Sequence, residues 1–377
     1  MNDRGREHVG DEINPILMAV LANRMEAIVR EMTNTLLKTA RSAVLAVVRD
    51  FSCSIVTGDN RLLCAAEGAP VHIFGSSLQT EAMAELHTDL APGDAFLHND
   101  PYIGNTHAAD HMYLVPVFVD GEHLFTACAK AHQADCGNSI PSTYHAYASD
   151  IYEEGALIFP AVRIQKAYKD VDDIIRMCKK RIRVPDQWYG DFLAMLGAAF
   201  IGEREMLALG EEVGWNMLHA FTDQWFDYSE RRMVAAIKKM PHGTGVAEST
   251  HDAIPGTPPD GITVTSKATV DNKKAIIEVD LRDNPDQLEC GLNVSEACTR
   301  TSAMIGIFNS VDPSVPKNAG AFRRVKLHLK DGGVVGIPRH PISCSASTTN
   351  LADRVQNSTQ RALAAIGDPL GMGEIGC

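Results

Sequence analysis

Met112-Tyr113-Leu114-Val115-Pro116-Val117-Phe118-Val119-Asp120-Gly121-Glu122-His123-Leu124-Phe125-Thr126-Ala127-Cys128-Ala129-Lys130 decides the fold. Two apolar runs flank Asp120-Gly121, a dipeptide that readily takes the left-handed conformations of a two-residue hairpin turn. The stretch predicts antiparallel strands from Met112 to Val119 and from Glu122 to Lys130, with Val119 facing Glu122. Counting outward without interruption sets Lys130 against His111 and His132 against Ala109. His132 then arrives between His107 and Asp110, so three side chains with ligand chemistry meet at the open end of one hairpin.

The flanking loops, His98-Asn99-Asp100-Pro101 through His111 on one side and Ala131-His132-Gln133-Ala134-Asp135-Cys136-Gly137 on the other, are rich in polar residues, Gly and Pro. Imidazole with carboxylate is a ligand set for zinc, manganese or iron. Two histidines with one or two carboxylates leave positions for water or substrate. The same residue types also cap and shape loops. Asp50 is a fourth ligand if a neighbouring hairpin packs alongside, or a salt-bridged partner of Arg49. His72 either lines the pocket or is an ordinary buried histidine. Asp100 and Asp135 either orient the histidines or form Asx turns, and Asp135 is also the candidate proton carrier.

Farther out, apolar residues from Ile16 to Leu37 recur at helical spacing behind Pro15, predicting an amphipathic helix that ends near Ala40. Phe51 to Val56 and Arg61 to Ala65 form a second hairpin across Thr57-Gly58-Asp59-Asn60. Helical spacing returns from Asp186 to Leu209 and from Trp215 to Lys239, and Pro241-His242-Gly243-Thr244-Gly245 reads as a break. Beyond it come strands at Ile262 to Thr265, Ala268 to Val270 and Ala275 to Leu281, then helices at Glu296 to Phe308 and Leu351 to Ala365. The predicted fold is mixed α+β (α/β): antiparallel hairpins carrying the metal site, packed with long amphipathic helices, plus a second strand-rich part. The expected division is a metal-site domain over 1–240 and a second α/β domain over 241–377. That second domain is expected to be incomplete, because Gly367 to Cys377 is glycine-rich and reads as an interior loop.

A net charge of -13 with no Lys/Arg-rich run argues against nucleic acid or an anionic membrane as the main partner. The polar start, Met1 to Asn14, has no signal-peptide pattern, and no run is apolar and long enough to span a bilayer, so a cytoplasmic protein is expected. Nine cysteines with no C-x-x-C pair fit neither a zinc ribbon nor a disulfide framework. Cys53, Cys64, Cys128 and Cys178 read as small core residues. Cys136 stays open because of its neighbours. There is no G-x-x-x-x-G-K-S/T loop, no G-x-G-x-x-G after a strand and no G-x-S-x-G elbow, so any ATP is expected to bind another subunit.

Arg49-Asp50-Phe51-Ser52-Cys53, Pro70-Val71-His72, Asn99-Asp100-Pro101, Thr106-His107-Ala108-Ala109-Asp110, Ala131-His132-Gln133-Ala134-Asp135 and Arg183-Val184-Pro185-Asp186 together resemble, in order and spacing, the hydantoinase B/oxoprolinase family. The resemblance runs from about Pro15 to the end. It implies a subunit of an ATP-dependent cyclic amidohydrolase opening hydantoins, 5-oxoproline or lactams, with metal ligands at Asp50, His107, Asp110 and His132. It also implies a hetero-oligomer with a hydantoinase A-type subunit that binds ATP-Mg and phosphorylates the small-molecule substrate. The alternatives are the metal-binding subunit of an ATP-dependent ketone carboxylase of the acetone or acetophenone type, towards which Ile103-Gly104-Asn105 leans, and a non-catalytic structural subunit. Gln133 stands where many members carry a second histidine.

Overall fold

The computed structural model describes residues 13–66 and 68–367; of the glycine-rich end, only Gly367 lies within them. The first half contains strands β1 (Phe51–Thr57), β2 (Leu62–Ala65), β3 (Ala95–His98), β4 (Asp110–Val119), β5 (Glu122–His132), β6 (Val162–Lys166) and β7 (Lys169–Asp170). The second contributes β8 (Gly243–His251), β9 (Ile262–Asp271), β10 (Ile276–Asp280) and β11 (Val325–His328). The helices are α1 (Pro15–Thr39), α2 (Pro70–Ile73), α3 (Ser76–Leu86), α4 (Ile151–Glu154), α5 (Asp172–Arg181), α6 (Pro185–Val213), α7 (Trp215–Ile237), α8 (Glu296–Asn309), α9 (Ala319–Phe322) and α10 (Leu351–Gly367).

β1 to β7 form one antiparallel sheet in the order β2-β1-β5-β4-β3-β6-β7, so the β4–β5 hairpin lies at its centre and the β1–β2 hairpin extends it to one edge. β4 and β5 are buried over most of their length. Helices cover both faces, which is why their sequences read as near-continuous apolar runs. Tyr113, Val115 and Val117 of β4 and Ala127, Ala129 and Ala131 of β5 face α1 and α6. Met112, Leu114 and Cys128 face the other way, towards Ile73 of α2 and Met83 of α3. α1 turns Leu21, Met25, Ile28, Val29, Met32 and Leu36 inward. Full burial of each such side chain contributes about 1.5–3 kcal/mol.

The hairpin departs from the expected register. Asp120 and Gly121 take φ of 50° and 83°, and Val119 faces Glu122 as anticipated. A bulge between Val117 and Phe118 then inserts one extra β5 residue, so that Met112 faces Lys130, His111 faces Ala131 and Asp110 faces His132. An uninterrupted count cannot see such an insertion. The correction places Asp110 and His132 directly across from each other.

The second sheet runs β11-β10-β9-β8, with only the β10–β11 pair parallel. α8 and α10 pack together, and α10 lies over β8 and β9, enclosing a core that includes Met233, Val264, Val279, Ile307 and Val355. Pro241 to Gly245, expected as a break, instead leads into β8, which begins at Gly243. The strands expected at Ile262 to Thr265 and Ala268 to Val270 are one continuous β9. α2, α3 and β3 fall where no periodicity marks them.

Gly202 of α6 lies where a Cβ would stand 2.8 Å from both the Ala127 Cβ and the Met32 Sδ. α6 therefore seats between β5 and α1 only because that position has no side chain. Gly202→Leu should destabilise the protein by about 1–3 kcal/mol through overpacking. Urea denaturation checks this, and an unchanged midpoint would mean that α6 can lift away from β5.

Candidate metal centre

The even-numbered face of β4 and β5 carries the chemistry. Asp110, at the start of β4, and His132, at the end of β5, point to the same side as Met112 and Cys128, and His107 joins them from the preceding turn. Gly104 shapes that turn. Its φ is +105°, and a Cβ there would lie 2.7 Å from the Leu78 carbonyl oxygen, so a side chain is excluded on both counts. Asn105 then drops into the interior, where its Nδ2 donates to the carbonyls of His107 (2.7 Å) and Asp110 (2.9 Å). Asn99 Nδ2 donates to the carbonyls of Ala108 (2.6 Å) and Leu157 (2.8 Å), tying the loop down from its other end.

The result is three ligand atoms within 4.8 Å of one another, all on buried residues. His107 Nε2 lies 3.1 Å from Asp110 Oδ1 and 3.2 Å from His132 Nδ1, and His132 Nδ1 is 3.4 Å from Asp110 Oδ1. Ligands held tetrahedrally at zinc-like bond lengths stand ~3.3 Å apart. His72 Nε2 adds a third nitrogen, 3.3 Å from Asp110 Oδ1 and 3.6 Å from Asp50 Oδ1. Asp50 stands farther out, with Oδ2 4.0 Å from His132 Nδ1 and its side chain 29% exposed.

The hydrogen bonds around the rings determine which nitrogens carry lone pairs. His107 Nδ1 faces the Ser345 carbonyl oxygen at 2.8 Å. A carbonyl only accepts, so Nδ1 carries the hydrogen and the Nε2 of the neutral ring presents a lone pair to the centre. His132 Nε2 bonds to Thr143 Oγ1 at 2.8 Å, which leaves Nδ1 for the centre. Two ring nitrogens, the His107 one bearing a lone pair, and a carboxylate oxygen thus converge, an arrangement that a cation or proton among them satisfies. The electrostatics agree. Burial pushes the His107 imidazolium down, but the charge and hydrogen bond of Asp110 outweigh it and hold the group above the ordinary histidine range. Burial pushes the Asp110 carboxyl up, but the neighbouring imidazoles outweigh it and hold it well below the ordinary carboxylate range.

The other oxygen of Asp110 is occupied by the protein: Thr106 Oγ1 donates to Oδ2, and Lys130 Nζ stands 4.0 Å from it. Burial draws the Lys130 ammonium down to about 8, against the opposing pull of Asp110. Tyr144 lies over the cluster, its ring nearly parallel to those of His107 (5.6 Å between centroids, 25°) and His132 (5.0 Å, 23°).

Asp100 and Asp135 do not orient the histidines: each accepts from the backbone N–H two residues on, at Tyr102 and Gly137, which is the Asx-turn reading. The orienting groups are Ser345 and Thr143. Asp135, put forward as a proton carrier, also receives the Arg183 N–H at 2.6 Å and pairs with the Arg183 guanidinium, and the structure does not bring it into the cluster. Cys136 is buried, and its thiol, pushed well up by that burial, bonds to Asn138. Ser345, Thr348 and Tyr144 lie in irregular Ser/Thr/Tyr-rich segments, and no periodicity or motif in the sequence singles them out.

The geometry defines a mixed α+β protein with a buried His/Asp/His site able to hold a divalent cation. The family model for hydantoinase B/oxoprolinase matches residues 14–377, and the chain belongs to that family. It is 26% identical to the beta subunit of the caprolactamase of Pseudomonas jessenii over 93% of this chain and 60% of that protein. The crystal structure of the ATP-dependent caprolactamase from the same organism superposes with a TM-score of 0.83, at 25% identity over 93% of this chain and 61% of that one. The B-type subunit of a putative D-/L-hydantoinase from a Pseudomonas species is 27% identical over 94% of this chain and 62% of its own length. A nucleotide-free acetone carboxylase shares the fold, with a TM-score of 0.80 at 17% identity over 92% of this chain and 48% of that one. The chain spans about three-fifths of the length of the caprolactamase and hydantoinase subunits it matches.

Because Thr143 fixes the ring of His132 from outside, Thr143→Val should weaken Zn2+ or Mn2+ affinity by about 10–100-fold while leaving the fold intact. Competition against a chromophoric chelator measures it. Unchanged affinity would remove Thr143 from the centre.

Proposed function

We propose that this chain is the metal-binding subunit of an ATP-dependent cyclic amidohydrolase that opens a hydantoin, 5-oxoproline or lactam ring. In this reading it works in a cytoplasmic hetero-oligomer with a hydantoinase A-type subunit that binds ATP-Mg. The observation that carries the reading is the convergence of His107 Nε2, His132 Nδ1 and Asp110 Oδ1 in a chain whose relatives include the beta subunit of a caprolactamase and the B-type subunit of a putative hydantoinase. Asp50, His107, Asp110 and His132 hold a divalent ion, Zn2+, Mn2+ or Fe2+. Such an ion supplies Lewis acidity and a bound water that ionises near neutral pH.

The chain's own residues do the rest. Ser345 keeps His107 Nε2 bare, and Thr143 holds the His132 ring with Nδ1 aimed inward. Thr106 and Lys130 occupy Asp110 Oδ2, so that Oδ1 alone is offered to the ion. His72, rather than Asp135, is the ionisable group close enough to exchange a proton with species at the centre. His72, His107, Asp110 and His132 are buried, while Asp50 and Tyr144 are more exposed.

Purifying the complex and measuring its metal content and ATP-dependent turnover tests the reading. Wild-type complex should carry a divalent metal in the centre and hydrolyse hydantoins or lactams without bicarbonate. His107→Ala should lose bound metal and turnover together, the latter by at least about 10³-fold, in line with a metal's share of the rate. Normal metal content with lost turnover would overturn the ligand assignment. Consumption of ketones that requires bicarbonate would move the chain to the carboxylase reading. A metal-free complex whose activity tolerates a change at His132 would make the subunit structural.

A further inference from the structure

The cluster has one open side. Among its members His72, His107, Asp110 and His132 are nearly or wholly buried; only Asp50 and, above it, Tyr144 at 36% reach solvent. Asp50 and Tyr144 mark the side of the cluster nearest solvent. The Tyr144 ring stacks on both His107 and His132, which sets its phenol beside the centre, and burial first, then the charge of Asp110, pushes that phenol up. Thr348 Oγ1 itself stands 3.5 Å from His107 Nε2 and is half-buried. Two hydroxyls from different segments therefore border the place where the ligand nitrogens converge, on the side nearest solvent.

These positions are built rather than incidental. His145 N–H donates to Ser345 Oγ at 2.9 Å, Ser343 N–H to the Ser149 carbonyl and Ile151 N–H to the Pro341 carbonyl, so residues 145–151 and 341–345 are laced together. That lacing holds Tyr144 and Thr348 side by side. The phenol ring rests against both histidines, which limits its rotation and fixes the line along which its O–H points.

We propose that Tyr144 and Thr348 are the hydrogen-bond donors to the carbonyl oxygen of the substrate, the oxyanion donors of this site. The inference rests on the cyclic-amidohydrolase reading for the identity of that oxygen. When a nucleophile adds to a ring carbonyl carbon, the carbon–nucleophile bond forms as the π pair moves onto the exocyclic oxygen. Donors aimed at that oxygen stabilise the charge as it develops. Neither hydroxyl gives up its proton: both start and end the step as O–H. Two neutral donors suit a site already crowded with the carboxylates of Asp50 and Asp110, because they add no charge that would compete for the cation.

The test uses the intact complex with Tyr144→Phe, which keeps the stacked ring and removes the hydroxyl, and Thr348→Val. Each should lower kcat by about 10²-fold, the usual cost of one lost oxyanion donor. KM should stay within about twofold and metal content should be unchanged. Thr348→Ser should recover most of the loss. Acetohydroxamate titrated onto the metal-loaded complex reads the same donors without turnover. It should bind Tyr144→Phe about tenfold more weakly than wild type, the equivalent of one ordinary hydrogen bond. Wild-type kcat and wild-type acetohydroxamate affinity in Tyr144→Phe would overturn the proposal, as would metal lost in step with activity, which marks a supporting role. A wild-type complex that opens no cyclic amide would instead refute the functional reading, and the titration would still decide the donor pair.

Discussion

An ionised carboxylate is buried at the head of a central strand, and the surroundings of Asp110 are organised around the cost of keeping it there. An unpaired charge in a protein interior costs several kcal/mol even after relaxation. Asp110 is fully buried, yet its carboxyl is held in the charged form. Three imidazole nitrogens stand 3.1–3.4 Å from Oδ1, and a threonine hydroxyl and a buried ammonium face Oδ2. His107 Nε2 and His132 Nδ1 face each other at 3.2 Å, their rings held from outside by Ser345 and Thr143. A positive charge among these groups, a proton or a divalent cation, would satisfy them together.

This requirement reaches into both halves of the chain. Asp110, His107 and His132 come from one hairpin, His72 from the short helix α2, and the carbonyl that sets the His107 tautomer from Ser345, 238 residues away from His107 in sequence. Ser295, which caps α8, donates to the Thr106 carbonyl at 2.6 Å, so the second half braces the turn that carries His107. Movement of residues 341–348 relative to the sheet would change the chemistry of the centre without touching a ligand, through the tautomer of His107 and the place of Tyr144.

What could be read in the sequence follows from how local each signal is. The β4–β5 hairpin was legible because Asp120-Gly121 encodes its own turn, and α1, α6, α7, α8 and α10 because apolar spacing over several turns is hard to mistake. The trio emerged from the same local logic, although the bulge at Val117/Phe118 shifted the register by one. A bulge leaves no mark when both neighbours are apolar and the strand is buried on both faces. β8, by contrast, was hidden by its glycines. Gly245 lies where a Cβ would stand 2.0 Å from the Ala362 carbonyl oxygen, so a residue that reads as a breaker is there to let α10 approach the sheet. Thr143, Ser345 and Thr348 act through single atoms on irregular backbone, and their importance exists only once the chain has folded.

The comparisons and the geometry constrain different things. The chain covers about three-fifths of its caprolactamase relative, yet the trio, the groups that orient it and the residues around its mouth all lie within the described part. The convergence of His107, Asp110 and His132 is thus made by the described residues themselves. Delivery of an activated substrate from an ATP-binding partner would have to end at that mouth. Arg49, immediately before Asp50, is held at φ 62° by the turn that closes the π-helical segment Val44–Val48, where Val47 and Val48 are both largely exposed. The backbone that presents the one solvent-facing carboxylate is thus also the backbone that presents an apolar edge at the surface. Contact there by any partner would bear directly on the position of Asp50.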